Sequence, residues 1–132
     1  MATIRKFEIL EVWQIAREIC RFVRDVTLKD QFSRNFTLKD QIQRSSGSAM
    51  DNIAEGFGRG SRLEFIQYLG ISNGSTEEVK SQLYRALDYD YITQEEFDTG
   101  YELATKLNNK LGSFINYLNS SDYQGKKFQN RK

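Results

Sequence analysis

No proline interrupts the 132 residues of this chain. Proline breaks helix interiors, so its complete absence leaves the backbone free to run in long helices. Four segments use that freedom. Apolar residues recur in them at three and four, the period of an amphipathic helix, and no alternating strand pattern competes. A chain of this length makes one domain. It can bury roughly two-thirds of its unfolded surface and needs no disulfide or metal to hold it.

The first helix is expected over about Glu8 to Leu28, with Val12, Ile15, Ala16, Ile19, Phe22, Val23 and Val26 on one side. Residues 29–35 lose the pattern and read as a connection. The second helix runs from about Thr37 to Phe57 on a line of Leu38, Ile42, Ser45 or Ser46, Ala49, Ile53 and Phe57. Its middle, Ser45-Ser46-Gly47-Ser48-Ala49, is a poor helix former by itself. A neighbouring helix that approaches closely over small side chains would support it. Gly56-Phe57-Gly58-Arg59-Gly60 ends this helix, since glycine takes the left-handed conformation common at helix ends. Ser61 and Glu64 then have the spacing of a capping box. They open a third helix from about Arg62 to about Tyr89. Thr93 and Glu96 repeat the box before a fourth helix that ends near Leu118. The last two connections are short, which makes consecutive helices antiparallel neighbours. The expected fold is all-α, an up-down-up-down four-helix bundle over residues 1–119. Residues 120–132 lack periodicity and are expected to form a frayed tail.

The apolar surface exceeds what one bundle needs. A helix facing a single core carries a stripe a little over ~100° wide. On a wheel of ~100° per residue, the arc of the first helix reaches about 180°, from Phe22 round to Trp13. The third spans about 160°, from Tyr68 and Ala86 to Ile66 and Tyr84. Nine Phe, seven Tyr and one Trp in so small a chain push the same way. Either Trp13, Tyr68 and Tyr84 bury against another copy of the chain, or they sit half-exposed as amphipathic surface aromatics. We expect the oligomer.

Composition removes several kinds of chemistry. There is no histidine, the commonest general base and metal ligand. Cys20 stands alone, reads as a small core residue and can form neither an internal disulfide nor a multi-cysteine zinc site. No metal, cofactor or catalytic residue is expected. Asp51, Asn52 and Glu55 fall within one turn of the second helix, where they can bond between helices or face solvent. The start of the chain lacks the apolar core of a signal peptide, and no stretch approaches the ~18 residues of a membrane span. A cytoplasmic location with a reduced thiol is expected.

Two features suit an anionic partner. Arg17, Arg21 and Arg24 line one flank of the first helix beside Trp13, an arrangement that fits a nucleic-acid backbone. The alternative is a solvated face with Arg21 paired to Asp25. Arg59 and Arg62 border the glycine-rich turn, where free N–H groups at the start of the third helix could hold a phosphate. The alternative there is a plain turn, because neither the dinucleotide fingerprint nor the P-loop ending is present. Arg44 joins them as a residue whose head should reach solvent. The net charge of +1 restrains this reading. Lys126, Lys127, Arg131 and Lys132 against Asp122 give the tail +3, which leaves −2 on residues 1–119.

The same residues carry a family resemblance. Leu10-Glu11-Val12-Trp13-Gln14, Gln41-Ile42-Gln43-Arg44-Ser45, Asn52-Ile53-Ala54-Glu55-Gly56-Phe57-Gly58-Arg59-Gly60 and Glu64-Phe65-Ile66-Gln67-Tyr68-Leu69 resemble, in that order, the bacterial four-helix bundle proteins first noticed as products of intervening sequences in 23S ribosomal RNA genes. The resemblance covers about residues 7 to 118. Such proteins are similar to the accessory variability determinant of diversity-generating retroelements, a pentameric barrel that binds nucleic acid and a reverse transcriptase. The resemblance implies a homopentamer and, more weakly, contact with RNA or a nucleoprotein, since the retroelement proteins are strongly basic. Relatives often place proline where Met50 stands here, so the kink that proline would give is not expected. The resemblance carries no catalytic residues. Taken together, the chain reads as a non-enzymatic, homo-oligomeric helical scaffold that contacts RNA or a nucleoprotein. The alternative is a protein–protein interaction module without nucleic-acid binding.

Overall fold

The computed structural model describes residues 6–120. Five helices form: α1 (Glu11–Thr27), α2 (Asp30–Arg34), α3 (Phe36–Gly58), α4 (Arg62–Asp88) and α5 (Gln94–Leu118). The four long ones make the expected antiparallel bundle. α3 packs between α1 and α4, and α5 closes the ring against α4 and α1. No strand occurs among the described residues. Of the expected tail, residues 120–132, all but Ser120 lie outside the described residues, and the Ser120 N–H donates to the Tyr117 carbonyl at 3.0 Å.

The core follows the apolar periods. Ile15, Ile19 and Val23 of α1 meet Leu38, Ile42 and Ile53 of α3, Leu69, Val79 and Leu83 of α4, and Leu107, Leu111 and Leu118 of α5. Where α3 is serine-rich, α4 answers with small residues of its own. Ser72 Oγ donates to the Ala49 carbonyl at 2.7 Å, and the Ser48 and Ser75 hydroxyls lie 2.9 Å apart. These bonds satisfy polar groups that close helix packing removes from water. Tertiary contact thus stabilises the helix with the weakest propensity.

Three local details differ from the sequence reading. The first helix does not start at Glu8. Residues Phe7–Ile9 form a 3₁₀ turn, Leu10 is extended (φ −68°, ψ 125°), and α1 begins at Glu11. On a continuous helix Phe7 and Trp13 would lie about 120° apart. The break brings their rings edge to face, with centroids 5.1 Å apart.

The connection at 29–35 contains α2, whose Phe32 is fully buried and stacks on Tyr91 at 5.2 Å. Five residues with one apolar side chain show no period, so sequence alone does not reveal it. Asn35 then caps α3 by accepting from the Leu38 N–H at 3.0 Å.

Of the two expected capping boxes, the Thr93–Glu96 box forms in both directions, at 2.8 and 3.1 Å. At Ser61 only the hydroxyl's half forms, at 3.4 Å. The Glu64 carboxylate instead lies 3.8 Å from Arg59 Nε.

Candidate interaction surfaces

The α1 flank is a short row of exposed arginines beside Trp13. Trp13 is half-buried, with the Phe7 ring packed against it in a T-shaped pair and the Arg17 guanidinium over its ring, 5.8 Å from the centroid. Arg21 is exposed and makes no ion pair or side-chain hydrogen bond among the described residues. Arg24 bonds its neighbour Asp25 at 2.9 Å. The alternative pairing of Arg21 with Asp25 does not form among the described residues; Asp25 Oδ1 accepts from Arg24 instead.

The other arginines do not join this row. Arg44 pairs with Asp40 one turn back, at 2.9 Å. Arg59 lies fifteen residues further along α3, about 22 Å away. It is the centre of a clamp over the glycine-rich turn. Its Nη2 and Nε donate to the Tyr68 hydroxyl at 2.5 and 3.2 Å, and Glu55 and Glu64 lie 3.6 and 3.8 Å from Nε. The bond to Tyr68, with the phenol and two carboxylates alongside, raises the guanidinium pKa above its ordinary value. Arg62 is partly exposed and makes no ion pair or side-chain hydrogen bond among the described residues. The six arginines therefore form a row on α1, a lone ion pair on α3 and a turn in which Arg59 is already engaged.

Two glycines of that turn, Gly56 and Gly60, have a structural cause. A Cβ on Gly56 would sit 2.5 Å from Tyr68 Cβ, so α4 can cross there only over a bare backbone. Gly60 has φ 76°. Tyr68 is consequently half-buried against its own chain. Tyr84 is different. Its ring packs on Phe97 and Tyr101 at 4.8 and 5.7 Å, yet half of it stays exposed, at 50%. On the same helix Leu63 and Ile71 are 63% and 51% exposed. At the far end of the bundle Phe36, at the start of α3, is 76% exposed. Sequence reasoning missed Leu63, Ile71 and Phe36, because Leu63 and Phe36 begin helices, where periodicity has few neighbours to define a face, and Ile71 lies beyond the arc assigned to its helix.

Polar chemistry inside the bundle is structural. Asn52 Nδ2 donates to the Ser48 carbonyl and hydroxyl at 2.8 and 3.0 Å, while Asp51 and Glu55 face solvent. Cys20 Sγ donates to the Ser46 carbonyl at 3.2 Å, and burial raises the thiol pKa. Between α4 and α5, Lys80 Nζ reaches Glu77 and Asn108 at 3.0 and 3.4 Å over the Tyr101 ring. Asn108 in turn donates to Asn73. Two shallow, open grooves occur, about 570 Å³ along Phe36–Gln43 and about 560 Å³ along Tyr101–Lys110. Lys39 and Asp40 line the first, and Glu102, Lys106 and Lys110 line the second. Among the described residues no set of ligating side chains is placed to hold a metal ion, and no helix is long and apolar enough to cross a membrane.

Comparison with known proteins agrees with this architecture. The model of the 23S rRNA-intervening sequence protein family matches residues 8–113. A crystal structure of a protein of unknown function from the S23 ribosomal protein family of Bacteroides thetaiotaomicron superimposes with a TM-score of 0.72 at 28% identity, over 79% of this chain and 97% of that one. No curated protein matches. The family match spans the whole bundle except the last turns of α5, and the chain belongs to the 23S rRNA-intervening sequence protein family.

Proposed function

We propose that the chain is a non-enzymatic helical scaffold that assembles with copies of itself and contacts RNA through the α1 flank. The observation that carries the assembly is α4, which keeps Leu63, Ile71 and Tyr84 at half exposure or more although the core beneath it is already filled. Apolar side chains left exposed above a filled core supply surface that another copy of the chain can bury. A homopentamer is the form that the family resemblance implies. Light scattering on the purified chain tests this. A mass several times 15.4 kDa is expected, five times for the pentamer. A solitary 15.4 kDa species overturns it.

The RNA contact has its own support, Arg21 beside Arg17 and Trp13 with no ion pair among the described residues. Binding to structured RNA should weaken as salt rises, with a slope near the number of phosphates engaged. An intact oligomer with no affinity for RNA at low salt would favour the protein–protein module instead. The non-enzymatic reading is supported by the location of the carboxylates, which stand in surface ion pairs such as Asp40–Arg44 and Glu55–Arg59 rather than in a dry pocket. A cytoplasmic location fits this role.

A further inference from the structure

The Phe7–Trp13–Arg17–Arg21 row differs from a plain basic patch, and the difference bears on the kind of nucleic acid it fits. Charge alone would serve duplex and single strand alike. Here an aromatic is built into the row and held in place. Phe7 packs on the Trp13 ring at a steep angle, 62° between planes, and the 3₁₀ turn brings the two rings into this contact. The Arg17 Cζ lies over the ring, 5.8 Å from its centroid, which places an exposed guanidinium and the indole in one tier. Unpaired bases stack on aromatic rings and on guanidinium planes, whereas the bases of an A-form helix already stack on one another and offer no face. Arg21 follows one turn later and makes no ion pair among the described residues. Trp13 to Arg21 spans about 12 Å, a length that suits a few nucleotides of one strand rather than successive grooves of a duplex.

We propose that this row is a binding site for an unpaired RNA segment, with a base stacked on the Trp13–Arg17 tier and the adjoining phosphate held by Arg21. The inference rests on the RNA reading above and adds the strandedness and the roles of the three residues. Charge complementarity commits the site to a polyanion, and the ring commits it to one with free bases.

Trp13 is the only tryptophan, so its emission reports on this site directly. The test titrates the full chain at low salt with twelve-residue oligouridylate, an abasic chain of the same length and a twelve-base-pair RNA duplex. Oligouridylate should change Trp13 emission and bind about tenfold tighter than the abasic chain, the gain expected of one stacked base. The duplex should leave the emission nearly unchanged. Arg21→Ala, an exposed position whose replacement leaves the core intact, should weaken both single-stranded probes equally and lower the salt slope by about one. Equal affinity for oligouridylate and the abasic chain, or the same emission change with the duplex, overturns the stacking site while leaving RNA contact standing. No binding to any of the three probes overturns both.

Discussion

Gly60 leads into α4 and Asp90 leads out of it, and both have positive φ, 76° and 60°. The entry turn works by leaving side chains out. Gly56 lets Tyr68 lie against bare backbone, Gly60 takes the left-handed position, and Arg59 clamps the outside through Tyr68, Glu55 and Glu64. The exit turn works by putting side chains in. Asp90, not glycine, takes the left-handed position. The Tyr91 N–H reaches back to the Ala86 carbonyl, and that of Asp90 to Leu87, the two bonds of a Schellman ending. Tyr91 stacks on Phe32 and accepts from Asn35 at 3.0 Å, and Glu96 both caps α5 and takes Lys29 at 2.6 Å. In a glycine run that resembles a ligand loop, close packing thus accounts for Gly56 and backbone conformation for Gly60. The polar turn at the other end of α4 ties the α1–α3 connection to α5.

If the exit turn depends on inserted side chains, removing the largest should cost most. Phe32→Ala empties a fully buried site beneath Tyr91. We expect a loss of about 3–5 kcal/mol in urea unfolding. A loss below about 1 kcal/mol would mean that α2 is not anchored by Phe32, and the contrast between the two ends would fail.

The entry turn should respond in the opposite sense, to an added methyl. Gly56→Ala forces Tyr68 away from a 2.5 Å overlap and should destabilise by about 1–3 kcal/mol. Gly58→Ala, where nothing lies within 4 Å, should be neutral or stabilise slightly through helix propensity. Equal effects at the two glycines in thermal unfolding would remove the packing explanation of the motif.

Glu96 sharpens the comparison from the polar side. Burial pushes its carboxyl pKa up, but the hydrogen bonds from Lys29 and Thr93 and the Lys29 charge outweigh this and hold it below the ordinary range. A depressed carboxylate contributes stability that is present above its unfolded pKa, about 4.3, and lost as pH falls through the folded value. Glu96→Gln should cost about 1 kcal/mol at neutral pH and flatten part of that acid loss. A wild-type acid profile in the variant would show that the Lys29 link contributes nothing.

Much of this was legible in the sequence, and the exceptions share a cause. Each long helix has enough turns for a period to emerge, so Val12 to Val26 or Phe97 to Leu118 declare a face unaided. The Thr93–Glu96 box was readable because it needs only local chain. The Ser61–Glu64 box has the same spacing, yet Glu64 turns toward Arg59, a competitor that spacing cannot display. The same holds for Gly56, whose role depends on Tyr68 twelve residues away, and for Phe32, whose partner Tyr91 is fifty-nine residues distant. At the α1 flank the types of residue were readable, but which arginine remains unpaired depended on Asp25 bonding Arg24 rather than Arg21.

The smallest effect tests the feature that the two turns share. A non-glycine residue in the left-handed region is strained by about 1–2 kcal/mol, less for aspartate than for most. Asp90 is exposed and its side chain makes no hydrogen bond or ion pair among the described residues, so nothing visible offsets the strain. Its charge also lies at the C-terminal end of α4, the unfavourable end of the helix dipole for an anion. Glycine relieves both but gives the unfolded chain more freedom, a cost of about 0.5–1 kcal/mol. Asp90→Gly should therefore stabilise by only a few tenths of a kcal/mol, seen as a small rise in the urea midpoint at unchanged slope. Asp90→Ala keeps the Cβ and should destabilise relative to it. If alanine proved as stable as glycine, backbone strain at the exit of α4 would be negligible, and glycine at position 60 would need a reason other than its φ.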